Sequence, residues 1–168
     1  MPVRADKIYL VGFMAAGKSS LARELGRRLD WKVEDVDDRI EARERRPIAE
    51  IFATDGEAHF RAVERDIVQA LLPPRHVVVA TGGGTFVDPD LRALMKADGA
   101  VFWIDAPLGQ IIDRLPRDGS RPMAANRLQL EGLYGSRRFA YAQAHVRLDA
   151  TRASVGDLAD EVIEWLGA

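Results

Sequence analysis

The residues from Gly12 to Ser20 have the types and spacing of a phosphate-binding loop. They read GFMAAGKSS, which fits the pattern G-x-x-x-x-G-K-S/T. Gly12 and Gly17 let the backbone turn tightly and point its N–H groups at phosphate oxygens. Lys18 can bring a mobile cation to the β- and γ-phosphates of a nucleotide, and the Ser19 hydroxyl can bind Mg²⁺. The pattern therefore predicts a site for a nucleoside triphosphate with its metal ion.

A short acidic segment, EDVDD at residues 34–38, is the second candidate for phosphate chemistry. Alternate residues of an extended chain face the same side, so Asp35 and Asp37 are expected to point together. Two carboxylates beside a phosphate loop repel each other unless a metal ion or a substrate group uses them. A solvated acidic turn that caps the next helix is the alternative, and it suits Asp38 best.

Three consecutive glycines, Gly82, Gly83 and Gly84, follow the apolar run Val77–Ala80. Glycine has no side chain, so the backbone there can approach a ligand closely. Parallel sheets bind their ligands at the carboxyl ends of the strands. We therefore expect the glycines to lie against a substrate, with a flexible connector as the alternative.

The elements that must position these residues follow from the apolar pattern. Continuous runs at Ile8–Val11, Val77–Ala80 and Val101–Ile104, with weaker ones at Trp31–Val33 and His145–Leu148, indicate buried strands. Apolar residues spaced three or four positions apart between these runs indicate amphipathic helices. This alternation predicts an α/β fold, a five-stranded parallel sheet sandwiched by helices.

Length and composition limit the possible functions. The 168 residues fit a single domain over 1–168, and a net charge of −2 argues against nucleic-acid binding. The chain has no cysteine, which excludes a disulfide framework, a thiol nucleophile and a cysteine-ligated zinc site. No apolar run reaches the roughly 20 residues of a membrane span, and the first run is too short for a signal peptide. We expect a cytoplasmic monomer that binds no membrane.

Five motifs, in order, resemble the shikimate kinase family, which belongs to the nucleoside-monophosphate-kinase-like P-loop kinases. They are GFMAAGKSS, EDVDDRIE, IFATDGEAHFRAVE, ATGGG and DRLPRDGSRP. The resemblance implies a substrate-binding lobe at about 34–64 and a mobile lid at about 114–126. It implies ATP-dependent phosphorylation of the 3-hydroxyl of shikimate, a step of chorismate and aromatic amino-acid biosynthesis. ATP and shikimate would be the small-molecule partners, and Mg²⁺ the cofactor.

The resemblance also implies roles for individual residues. The expected catalytic residues are Lys18, Asp37 and Arg121, and the expected metal ligands are Ser19 and Asp35. The expected ATP-binding residues are Gly12, Ala15, Ala16, Gly17, Lys18, Ser19, Ser20, Arg114, Arg121 and Arg152. The expected substrate-binding residues are Asp37, Arg61, Gly82, Gly83, Gly84 and Arg137. Arg61 and Arg137 would grip the substrate carboxylate, Arg121 would reach the phosphates, and Asp37 would orient or deprotonate the attacking hydroxyl.

Several arginines have alternative interpretations. The segment 114–152 has eight arginines, no lysine and three acidic residues, which suits a lid closing over a polyanion. A solvated helix face is the alternative for three of these arginines, Arg127, Arg138 and Arg147. Arg61 could instead form a surface pair with Glu64, three residues later on a helix.

The sequence departs from the family pattern in two places. The lid tail reads RPMAAN where the family usually has Arg-Pro-Leu-Leu, and the family's Arg-x-Pro-Leu-Tyr appears as RRFAY. The lost proline leaves open whether Arg137 or Arg138 points inward. Two other functions remain: a kinase of the same fold for gluconate or a nucleoside monophosphate, which would share the phosphate loop, and a degenerate ATP-binding switch, which the altered lid tail and the lost proline favour. The glycines and the pair Arg61 and Asp37 suit a carboxylate plus a diol, which favours shikimate.

Overall fold

A computed structural model describes residues 5–115 and 127–168, and its centre is a parallel β-sheet. The five strands are β1 Lys7–Val11, β2 Lys32–Asp35, β3 Val77–Ala80, β4 Ala100–Asp105 and β5 Val146–Asp149. They lie in the order β2-β3-β1-β4-β5, and each neighbouring pair is parallel. The predicted α/β fold and all five predicted strands are confirmed.

Seven α-helices lie in the described part of the chain. They are α1 Lys18–Leu29, α2 Val36–Glu44, α3 Ile48–Ala70, α4 Pro89–Asp98, α5 Leu108–Arg114, α6 Arg127–Tyr141 and α7 Val155–Leu166. A short 3₁₀ helix covers Thr85–Val87. No helix in the two described ranges has the length and apolar character needed to cross a bilayer.

The central strands explain why the sheet is covered on both faces. Every residue of β1, β3 and β4 is buried, so both rows of side chains pack against helices. Two helices begin with side-chain caps of the kind that their sequences favour. The Asp88 carboxylate accepts the Asp90 N–H at the start of α4, and Ser154 and Asp157 form a reciprocal capping box at α7.

The sheet order brings the three candidate segments to one edge. β3 lies between β1 and β2, so the phosphate loop after β1, the acidic segment after β2 and the glycines after β3 are neighbours. The strands β2 and β3 are connected by two packed helices, α2 and α3, rather than by one. Helix α3 bends at Gly56, whose φ of 82° and ψ of 173° are not helical. These two helices form the wall that faces the three segments.

Candidate active site

The phosphate loop connects β1 to α1 through two glycines with positive φ. Gly12 has φ 153° and Gly17 has φ 105°. A side chain at Gly12 would not fit, because its Cβ would lie 2.8 Å from the carbonyl oxygen of Ile104. The first residue of α1, Lys18, is 8% exposed, and its ammonium donates to the carbonyl oxygens of Gly12 at 2.7 Å and Phe13 at 2.8 Å. The positive end of α1 and the Lys18 cation therefore face the same small ring of backbone.

The two predicted metal ligands lie in direct contact. The Ser19 hydroxyl donates to Asp35 Oδ2 at 2.7 Å. The other carboxylate oxygen of Asp35 accepts the Asp38 N–H at 3.1 Å and so caps α2. A hydroxyl and a carboxylate are hard oxygen ligands, and Mg²⁺ commonly uses one or two of these together with phosphate oxygens. The donor set fits a magnesium site shared with a nucleotide.

Asp37 reaches the site by a route that differs from the predicted one. The expectation of an extended chain through 34–38 is wrong, because β2 ends at Asp35 and Val36 begins α2. Val36 is fully buried and anchors this first turn in the core. The helix turn nevertheless brings Asp37 close to the glycines, since a Cβ built on Gly82 would lie 2.7 Å from Asp37 Oδ1.

Asp38, expected to be a solvated residue of a turn that caps the next helix, is exposed at the first turn of α2, but the capping carboxylate is that of Asp35. Partial burial raises the pKa of Asp38 above its ordinary value, and the negative charges of Asp35 and Glu41 add to the effect.

Two cavities meet at Asp37. One, of about 270 Å³, lies between the α2–α3 wall and the glycines. The other, of about 400 Å³, follows the phosphate loop. Both are lined by Ser19, Asp35, Asp37 and Gly83. The geometry thus places an acceptor cavity directly beside a nucleotide cavity, with the acidic groups at their junction.

Arg61 extends into the acceptor cavity with its guanidinium already paired. Its Nη1 donates to Glu64 Oε1 at 2.9 Å, and its Cζ lies 5.1 Å from the centroid of the Phe60 ring. The alternative pairing of Arg61 with Glu64 is therefore observed, but Glu64 is 1% exposed, so the pair belongs to the cavity wall and not to the surface. Gly84 allows this packing, because a Cβ there would lie 2.5 Å from Arg61 Nη2.

Of the two adjacent arginines on α6, Arg137 points into the acceptor cavity and Arg138 does not. Arg137 is 7% exposed and lines the acceptor cavity beside Gly83. Its burial lowers the pKa of Arg137 from the ordinary value. Arg138 points elsewhere: its guanidinium donates to Asp105 at 2.6 Å and lies over the Trp103 ring.

Most of the predicted ATP-binding residues line the nucleotide cavity, although Gly12 does not. The nucleotide cavity is lined by Ala15, Ala16, Gly17, Lys18, Ser19, Ser20 and Arg114. Arg114 also donates to the Ala15 carbonyl oxygen at 3.4 Å. Arg152 is exposed and is not part of this lining, although its neighbours Ala150 and Ala153 are. Arg121 and the predicted lid beyond residue 115 lie outside the described residues.

Two residues that the sequence analysis did not single out touch the glycines. The Thr85 hydroxyl accepts the Gly82 N–H at 2.9 Å, and the Tyr141 hydroxyl donates to the Gly83 carbonyl oxygen. Burial raises the pKa of Tyr141 to about 12, so this hydroxyl stays protonated. Two features of the sequence could have identified these residues. Thr85 directly follows the glycines, and Tyr141 lies one helical turn after Arg137.

Comparison with known proteins gives one consistent result. The family model described as Shikimate kinase matches residues 14–167. The shikimate kinase of Persephonella marina is 36% identical over 157 residues, which cover 93% of this chain and 96% of that protein. The structure titled "Shikimate kinase from Acinetobacter baumannii in complex with shikimate" has a TM-score of 0.91 at 30% identity, covering 96% of this chain and 92% of that one. Shikimate kinase from Aquifex aeolicus has a TM-score of 0.87 at 31% identity, covering 96% of both chains. The chain belongs to the shikimate kinase family.

Proposed function

We propose that this chain transfers the γ-phosphoryl group of ATP to the 3-hydroxyl of shikimate, giving ADP and shikimate 3-phosphate. The observation that carries the proposal is the junction at Asp37 between a phosphate-loop cavity and a cavity holding two guanidinium groups. The close relative from Acinetobacter baumannii, whose structure contains shikimate, supports the choice of acceptor. The reaction belongs to chorismate and aromatic amino-acid biosynthesis.

The acceptor cavity suits an acid that also carries hydroxyl groups. Arg61 and Arg137 bring two positive charges to one side, where a planar carboxylate can accept paired N–H bonds. Burial of Arg137 removes competing water, which strengthens its attraction for an anion. Ile48, Phe52 and Phe60 supply an apolar wall for a carbon ring. In this proposal residues 34–64 are the substrate-binding lobe.

Asp37 would orient the attacking hydroxyl. It lines both cavities, and its carboxylate lies against Gly82. A carboxylate at this point can accept the hydroxyl proton as the bond to phosphorus forms. Holding the hydroxyl in line with the phosphate supplies much of the acceleration in phosphoryl transfer.

The charge of the phosphates would be balanced by three groups. Lys18 would exchange its carbonyl contacts for phosphate oxygens, because it already lies in the ring that the phosphates enter. Ser19 and Asp35 would hold Mg²⁺, which neutralises phosphate charge when it is bound. Arg121 would contact the phosphates from the lid, a role that rests on the family resemblance.

An assay of ADP release with ATP and Mg²⁺ tests the proposal. We expect release that depends on added shikimate and that neither gluconate nor a nucleoside monophosphate supports. Release with one of those two acceptors and not with shikimate would favour another kinase of the same fold. ATP binding with no acceptor-dependent release would favour the switch.

A further inference from the structure

The Thr85 side chain is fully buried beside the acceptor cavity and makes two hydrogen bonds. Its hydroxyl accepts the N–H of Gly82 at 2.9 Å and donates to Glu64 Oε2 at 2.9 Å. A hydroxyl group has one proton to donate and oxygen lone pairs to accept, so a single atom serves both partners. Thr85 thereby joins the glycine backbone to α3.

Glu64 uses its two oxygens for different partners. Oε2 accepts from Thr85, and Oε1 accepts from Arg61 Nη1 at 2.9 Å. Glu64 is 1% exposed, so water offers little replacement for either bond. A buried carboxylate with fixed donors holds one orientation, and Glu64 in turn holds Nη1 of Arg61, whose Nε also lies 3.5 Å from the exposed Glu57 carboxylate.

The chain of contacts also reaches the junction of the two cavities. Gly82, held by Thr85, is packed between that hydroxyl and the Asp37 carboxylate: a Cβ added to it would lie 3.2 Å from Thr85 Oγ1 and 2.7 Å from Asp37 Oδ1. The Thr85 hydroxyl therefore holds Glu64, which supports Arg61. The same hydroxyl holds Gly82, which the Asp37 carboxylate contacts.

We infer that Thr85 is a positioning residue for the acid substrate, acting through Glu64 on Arg61 and through Gly82 on the cavity floor. The inference rests on the proposed function, because the acid is the ligand whose binding it concerns. Thr85 itself does not line the cavity, so its effect must pass through these partners.

The variants Thr85→Val and Thr85→Ser separate the hydroxyl from the shape of the side chain. Valine keeps the volume but leaves the Gly82 N–H and Glu64 Oε2 without their partner, whereas serine keeps both hydrogen bonds. We expect Thr85→Val to raise the KM for shikimate and the Kd of shikimate by calorimetry about tenfold, the low end for one bond to a charged group. In Thr85→Val the KM for ATP should stay within about twofold of wild type. In Thr85→Ser the KM for shikimate should return to within about threefold of wild type.

Tyr9→Phe is the matched control for the loss of one buried hydroxyl. The Tyr9 hydroxyl donates to Asp98 at 2.6 Å, and Asp98 ends α4 just before the amino end of β4, at the end of the sheet opposite the cavities. This variant loses a hydroxyl–carboxylate bond as Thr85→Val does, but both KM values should match wild type. If circular dichroism shows that Thr85→Val does not fold, Thr85→Ala replaces it, because alanine also lacks the hydroxyl.

The outcomes separate this inference from the proposed function. A wild-type protein that neither binds nor phosphorylates shikimate would overturn both. A wild-type protein that does so, with an unchanged shikimate Kd in Thr85→Val, would overturn the inference alone. A tenfold loss that Thr85→Ser fails to recover would also overturn it, because the hydroxyl would then not be the cause.

Discussion

The charged side chains of the acceptor cavity are held by neighbours before any ligand is bound. Arg61 is fixed by Glu64 and by the Phe60 ring, and Arg137 lies over the Phe13 ring next to Tyr141. Such support reduces the entropy lost when a substrate binds. The family resemblance identified the arginines themselves, but the sequence could not show that Glu64 is buried, because burial depends on how α3 packs on the sheet.

The change Arg61→Lys tests whether the guanidinium recognises a carboxylate. Lysine keeps the charge but loses the planar fork that makes two parallel bonds. Loss of one bond to a charged group costs roughly 1.5–3 kcal/mol, or about 10- to 150-fold in kcat/KM. We expect most of the loss in the shikimate KM, with the ATP KM unchanged, in steady-state kinetics. A wild-type shikimate KM would remove Arg61 from the acid site.

Adjacent arginines provide a comparison within α6. Arg137→Ala should raise the shikimate KM at least tenfold, because a buried cation in the cavity is lost. Arg138→Ala should leave that KM unchanged and lower the free energy of unfolding by about 1.5–3 kcal/mol, because buried Asp105 loses a charged partner although it keeps Arg147. Kinetics and urea unfolding of the two variants measure this. The reverse pattern would mean that Arg138 faces the substrate.

Ser19→Ala tests the metal site. The hydroxyl contacts Asp35 on an exposed part of the loop, so its loss should change stability by less than about 0.5 kcal/mol. The Mg²⁺ concentration for half-maximal rate should rise about tenfold, because one oxygen ligand is missing. Titration of Mg²⁺ at saturating ATP and shikimate measures it. An identical titration curve for wild type and variant would contradict the assignment.

The elements of this fold differ in how far the sequence predicts them. Continuous apolar runs identify the strands, and the pairs Asp88 with Pro89 and Ser154 with Asp157 identify two helix starts. The start of α3 at Ile48 and its bend at Gly56 were not predicted. These features depend on tertiary packing, which overrides the local periodicity.

The capping box of α7 gives a prediction for an element outside the acceptor cavity. Ser154→Ala removes the hydroxyl that accepts the Asp157 N–H at 3.0 Å, and should lower the free energy of unfolding by about 1 kcal/mol. The start of α7 lines the nucleotide cavity through Ala153, Val155 and Leu158, but no residue of α7 lines the acceptor cavity, so the shikimate KM should stay at wild type. Urea unfolding with parallel kinetics checks both parts. Unchanged stability would mean that the cap contributes nothing.

At the scale of the whole molecule, the phosphate loop predicts a nucleotide site, but the position of that site depends on the strand order. The order β2-β3-β1 brings 34–38, 82–84 and the loop together although they are far apart in sequence. Apolar runs do not reveal strand order, so the family resemblance supplied what local patterns could not. The inward direction of Arg137 likewise depends on which face α6 turns toward the sheet, and local sequence does not reveal this.

The most direct test of the central claim is phosphorus NMR of the complete reaction of protein, ATP, Mg²⁺ and shikimate. The predicted result is loss of the γ-phosphate signal of ATP with the growth of one phosphate-monoester signal that couples to the proton on carbon 3 of the ring. Omission of shikimate should leave the ATP spectrum unchanged. Conversion of ATP to inorganic phosphate, or a monoester at another hydroxyl, would contradict the account.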